Sequence, residues 1–176
     1  MRAFVALELP EVFADEVAAL SRRLAFVCEG RFVRRPGSHH LTLAFLGEVG
    51  EADARRAMDA LDAACAGTGP LELAPEGLGT FGRGRDVTLW LGIEKGPKLE
   101  ALAGRLRGEL AARGLCLDER PFLPHVTLAR RARLPRAELE GLVFPQPGEA
   151  SRVTLFRSIL GPEGARHKPL YTAELS

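Results

Sequence analysis

Two short segments carry residue types suited to acid–base chemistry: His40-Leu41-Thr42-Leu43-Ala44 and His125-Val126-Thr127-Leu128-Ala129. They differ only at the second position, and they use two of the four histidines in the chain, one in each half. Side chains alternate between the faces of a strand, so His40, Thr42 and Ala44 share one face, with Leu41, Leu43 and Phe45 on the other. The second copy sets His125, Thr127 and Ala129 against Val126 and Leu128 in the same way. The apolar face is the natural core face. The other presents an imidazole, a hydroxyl and a small alanine, with room for a ligand.

Two imidazoles facing one cleft can work as an acid–base pair. One takes a proton from a nucleophile while the other gives one to a leaving group, and a pKa near ~6.5 permits both states around neutral pH. A hydroxyl beside each imidazole can donate a hydrogen bond to a phosphoryl oxygen. With no evident metal ligands, the reaction that fits is cleavage of a phosphodiester. Arginines flank both copies: Arg31, Arg34 and Arg35 before the first, and Arg130, Arg131, Arg133 and Arg136 after the second. The guanidinium fork matches phosphate, although such clusters also make solvated surface. Strict alternation puts Arg131 on the His125 face; a bulge or strand end there would put Arg130 on it instead.

The remaining candidates read as structural. His39 points away from the His40 face, and His167 falls in a polar turn before the last strand. Phe81 and Trp90 read as core residues, with Phe81 near enough to a loop to serve as a base platform. Gly82–Asp86 ("GRGRD") precedes no helix, so it reads as a turn rather than a phosphate loop.

These strands need a frame. Arg2–Leu9 alternates as a strand, and Pro10–Glu11 open a helix with Phe13, Val17, Leu20, Leu24 and Val27 at helical spacing, stopped by Gly30. Arg31–Pro36 reads as a short strand. A second helix runs from Glu51 to Ala66, and two strands follow from Leu71–Phe81 and Val87–Ile93. A third helix starts near Pro97 and ends before Gly114. After the His125 strand, a short helix is predicted over Arg136–Leu142. Strands from Arg152 and from Lys168 close the pattern. The order gives an α+β fold with mostly antiparallel pairing, one domain over residues 1–176, and two similar lobes related by a pseudo-twofold.

The balance of composition narrows the function. Net charge is +1, so no global polycation grips long nucleic acid. No apolar run approaches the ~18–20 residues of a membrane span, and the first residues read as a strand rather than a leader, so a cytoplasmic protein without membrane contact is expected. Cys28, Cys65 and Cys116 are odd in number and unpaired in spacing, which argues against disulfides and zinc. They read as core-gap fillers. Only three of 24 basic residues are lysine, and asparagine is absent, a bias shared by thermophiles and by GC-rich genomes.

The paired H-x-T motifs resemble those of the two-histidine (2H) phosphoesterases. "MRAFVALELP", "RFVRRPGSHHLTLAFLGEV", "GLGTF…VTLWLGIE" and "RPFLPHVTLAR" together resemble one branch, the bacterial and archaeal RNA 2′,3′-cyclic phosphodiesterases, also called 2′-5′ RNA ligases. The likeness covers nearly the whole chain; "RRPGSH" departs from the turn common in that branch. It implies a bilobal fold with helices on the outer faces and the motifs on facing strands of a central cleft. It implies hydrolysis of a terminal 2′,3′-cyclic phosphate on RNA, tRNA fragments included, to a 2′-phosphate. Reversible ATP-independent 2′-5′ joining and the absence of metal or nucleotide cofactor are implied as well. The residues themselves leave open which imidazole is acid and which base. The resemblance assigns His125 as base and His40 as acid, with Thr42, Thr127 and Arg130 on the phosphate. Alternatives are a cyclic phosphodiesterase on a nucleotide or ADP-ribose derivative, cleavage of 2′-5′ oligoadenylate, or a non-catalytic RNA-end-binding module. A monomer is expected.

Overall fold

A computed structural model describes residues 1–136 and 139–176. Its strands are β1 (Arg2–Glu8), β2 (Glu29–Phe32), β3 (His40–Glu48), β4 (Leu71–Leu73), β5 (Pro75–Phe81), β6 (Thr88–Ile93), β7 (His125–Arg133), β8 (Gly148–Ala150), β9 (Arg152–Gly161) and β10 (Gly164–Glu174). Its helices are α1 (Glu11–Val27), α2 (Glu51–Cys65) and α3 (Pro97–Ala112). All strand pairings are antiparallel, and the main sheet runs β10-β9-β1-β3-β7-β6-β5, with β2 also paired to β7. The α+β architecture is as the pattern implies. β1–α1–β3 and β6–α3–β7 are equivalent units, and they join at the centre where Leu41 pairs with Val126.

The helices form where the periodicity requires. α1 buries Phe13, Val17, Leu20 and Leu24, each large side chain contributing ~1.5–3 kcal/mol when fully removed from water. α3 begins at Pro97, whose missing N–H is no loss in a first turn. It ends in a Schellman motif: Gly114 (φ +82°) sends its N–H to Ala111, and Leu115 sends its own to Leu110. α2 is lined by Ala54, Ala57, Ala60 and Ala64, small enough for α3 to lie close against it. All three helices share one core with Val5, Leu7, Leu41, Leu43, Leu91, Val126, Leu128 and Leu155 of the sheet. Phe4, Ala6 and Phe156 form a separate buried cluster. Among the described residues no helix is long and apolar enough to cross a membrane.

Several local expectations change. The chain enters β2 directly from α1, so Gly30 lies inside a strand rather than ending the helix. A Cβ there would sit 3.0 Å from the Ala132 Cα, so the glycine lets β2 approach β7. Arg34–Pro36 lie in the following loop. Cys28 and Cys65 are buried, but Cys116 is exposed and fills no gap. Of the helix expected over Arg136–Leu142, residues 137 and 138 lie outside the described residues, and residues 139–142 are not helical.

Candidate active site

The two motifs open β3 and β7. From the Leu41–Val126 rung, antiparallel stepping carries Thr42 toward His125 and His40 toward Thr127. The four polar side chains therefore lie around one point on the face opposite the core, all half-buried.

Both strands then depart from simple alternation in the same way. In β3, Thr42 pairs with Ala6 and Ala44 with Val5, so Leu43 is an extra residue; in β7, Thr127 pairs with Trp90 and Ala129 with Leu89, so Leu128 is extra. Each is a bulge that reverses the parity of the residues after it. Ala44 and Ala129 consequently pack into the core rather than beside the histidines, and Phe45, expected in the core, is 54% exposed on the cleft face. The same shift places Arg130, the position equivalent to Phe45, on the histidine face. Arg131 comes next at φ +50°, a left-handed conformation that breaks the strand again.

His125 donates its Nδ1–H to the Leu123 carbonyl at 2.6 Å, which leaves Nε2 bare. Phe81 meets its ring edge-on at 5.0 Å and Trp90 lies 5.8 Å away. Phe81 is 39% exposed, so it walls the site rather than filling the core. The Trp90 ring lies over Gly79, where any Cβ would fall 2.1 Å from it.

His40 sits in a second aromatic nest. Phe156 stacks on it at 4.9 Å and Phe4 lies at 5.5 Å. Its Nε2 is 2.8 Å from Nδ1 of His167. Burial, then the charges of His167 and His39, push its pKa down to about 3. His167 is lowered too, by burial and then by Arg130, which puts that guanidinium within electrostatic reach of the His40 side. His39 is buried beside the site, and burial lowers it as well.

His167 is the residue that sequence reasoning misplaced. It belongs to β10, not to a turn, because Pro162–Glu163 make the turn and the strand starts at Gly164. Its register partner is Ser158, two residues from Phe156, so it shares the face of Phe4 and His40. The polar run Gly164–Lys168 hides this, because the sequence pattern starts the last strand only at Lys168; Pro169 fits within β10 because it is an edge strand. Among the described residues no three His, Cys, Asp or Glu side chains gather as metal ligands.

Residues 9–160 match the sequence model of the 2′-5′ RNA ligase superfamily. A Methanothermobacter thermautotrophicus protein described as an RNA 2′,3′-cyclic phosphodiesterase is 34% identical, the alignment covering 98% of this chain and 95% of that protein. One of the same description from Escherichia coli K12 is 33% identical, over 96% and 93%. The crystal structure of E. coli LigT complexed with 3′-AMP superposes with a TM-score of 0.82 at 30% identity, covering 99% of this chain and 98% of that one. The structure of TT0787 from Thermus thermophilus gives 0.80 at 27%, with the same coverage.

Proposed function

Because this chain belongs to the 2′-5′ RNA ligase superfamily, we propose that its two-histidine cleft hydrolyses the 2′,3′-cyclic phosphate at an RNA end to a 2′-phosphomonoester. The observation that carries the reading is the pairing of Leu41 with Val126, which turns an imidazole and a hydroxyl from each half toward one point. His125 Nε2, bare because Nδ1–H is committed to Leu123, removes a proton from water. The water oxygen attacks phosphorus, the P–O3′ bond breaks, and His40 gives a proton to O3′. In the free cleft His40 is held neutral. An anionic cyclic phosphate seated against it favours the charged form, so substrate and proton arrive together. Thr42 and Thr127 donate to non-bridging oxygens, and Arg130 stabilises the charge that grows there.

A ribose hydroxyl in place of water gives 2′-5′ joining without ATP, and the step reverses when the neighbouring 3′-hydroxyl re-closes the ring. No metal or nucleotide is needed in any step. RNA ends bearing a cyclic phosphate, tRNA fragments among them, are the partners. The free thiols fit a reducing cytoplasm.

The test uses a short RNA ending in 2′,3′-cyclic phosphate, incubated in EDTA and followed by phosphorus NMR. Conversion to the 2′-phosphate is expected, with losses of ~10²–10⁴-fold in folded His40→Ala and His125→Ala. No conversion by folded wild type would sink the reading. Conversion only of cyclic nucleotides would move the substrate class, and inhibition by EDTA would mean a metal takes part.

A further inference from the structure

His167 has no part in the steps above, yet its Nδ1 lies 2.8 Å from His40 Nε2. It comes from β10, and β9 and β1 stand between β10 and β3 in the sheet. A bulge at Leu170, between the Pro169–Phe156 and Tyr171–Leu155 pairs, adds twist that can turn the hairpin tip over the site. The tip is tied down twice: by the 2.8 Å contact between His167 Nδ1 and His40 Nε2, and by Glu163 to Arg35 at 3.7 Å in the loop before β3. Phe4 contacts both imidazoles, at 5.5 and 5.0 Å, so the pair is held by packing as well as by the hydrogen bond.

We propose that His167 is a positioning residue for His40: it holds the Nε2 edge of that imidazole and shares a proton with it, so that the acid of the reaction is a two-imidazole unit. This rests on the two-histidine hydrolysis proposed above. Facing nitrogens at 2.8 Å accommodate one N–H between them, so the pair carries at most one positive charge. When O3′ has taken the proton from His40 Nε2, that nitrogen is bare. Both imidazoles are then neutral, so His167 takes up a proton from solvent at the sheet edge and passes its Nδ1–H across to His40. The proton that His125 took from water leaves to solvent, so each turnover balances.

The groups facing the pair are few. His39 precedes His40, and Arg130 reaches in from β7. Glu8 is opposite His40 on β1, but its carboxylate lies 3.0 Å from Arg152. Arg166 and Lys168 flank His167 on β10 and alternate to the other face.

The test has two arms. In the first, histidine NMR of the free protein is titrated for wild type and His167→Phe, a ring that keeps the packing but has no nitrogen. The His40 resonance is expected to titrate at higher pH in the variant, because a second imidazole no longer competes for the pair's one proton. In the second arm, kcat on cyclic-phosphate RNA is expected to fall about tenfold or more with KM within about twofold, less than the loss of a primary acid. Added imidazole should restore part of the rate of His167→Ala. His167→Gln is read the same way should the phenylalanine variant misfold. An unmoved His40 titration overturns the proposal, as does wild-type kcat in a folded variant. If wild type itself leaves the RNA intact, the hydrolysis reading falls, while the titration still decides whether the two imidazoles share a proton.

Discussion

Leu41 and Val126, the second residues of the two motifs, face each other across the β3–β7 junction. A rung between equivalent residues puts the pseudo-twofold through the middle of the cleft. The histidines and threonines obey that symmetry. The position five residues beyond each histidine does not: it is Phe45 in one half and Arg130 in the other. The cleft is thus symmetric in its imidazoles and hydroxyls and asymmetric in its charge.

Arg130 should therefore matter where Arg131 does not. Arg130→Ala is expected to lower kcat by ~10²–10³-fold, the usual loss when one stabilising donor is removed from a developing oxyanion, and lysine should recover part of it. Arg131→Gly should leave the rate intact and raise stability by up to ~1–2 kcal/mol, since the residue sits at φ +50°. Steady-state kinetics and urea midpoints of the two variants decide it; the reverse pattern would restore strict strand alternation.

Stability should depend on pH through His40. Its pKa falls from 6.5 to about 3 on folding, so between those values the unfolded chain binds more protons than the native one. The stabilisation is full above pH 6.5 and is lost as the pH drops toward 3, at ~1.4 kcal/mol per unit of pKa depression. His39 and His167 are lowered as well and steepen the same slope. Denaturation midpoints measured across this window should decline in wild type and decline less in His40→Phe. Equal slopes in the two proteins would remove His40 from the effect.

Gly79 should resist any side chain. A Cβ there would fall 2.1 Å from the Trp90 ring, and that ring stands beside His125. Gly79→Ala is expected to cost ~1–3 kcal/mol through overpacking and to lower turnover by pushing the indole toward the cleft. Trp90 is the only tryptophan, so its fluorescence reports the displacement directly. An unchanged spectrum and an unchanged melting temperature would mean the ring is not locked there.

The thiols should sort by burial. Cys116 is exposed, whereas Cys28 and Cys65 are buried, with burial pushing Cys65 up to about 11. Iodoacetamide at about pH 8, near the ordinary thiol pKa, should label Cys116 alone in the native protein and all three in denaturant. Native labelling at Cys65 would show that α2 opens readily from the core.

The frame of this site was legible because it rests on local signals. Helical spacing placed α1, α2 and α3 within a residue or two, and Gly114 marked the end of α3. The repeated motif located both histidines and both threonines on one face. What the residues could not show were features set by a partner strand. The bulges at Leu43 and Leu128 exist only because β1 and β6 pair one residue short. Alternation alone therefore sent Ala44 to the cleft and Phe45 to the core. His167 was hidden for the same reason: its role depends on a hairpin curving across two intervening strands, which no local spacing records.

That hairpin also sets a timetable. His40 and His167 are separated by 127 residues, which a ribosome making ~5–20 residues per second covers in roughly 6–25 s. For most of that interval β1 has β3 on one side and no strand on the other, because β9 is still to be made. The nascent chain thus holds both H-x-T motifs before Phe156 and His167, the later members of the His40 nest, exist. The His40 side of the cleft is complete only once synthesis has carried the chain past the β10 turn and clear of the exit tunnel.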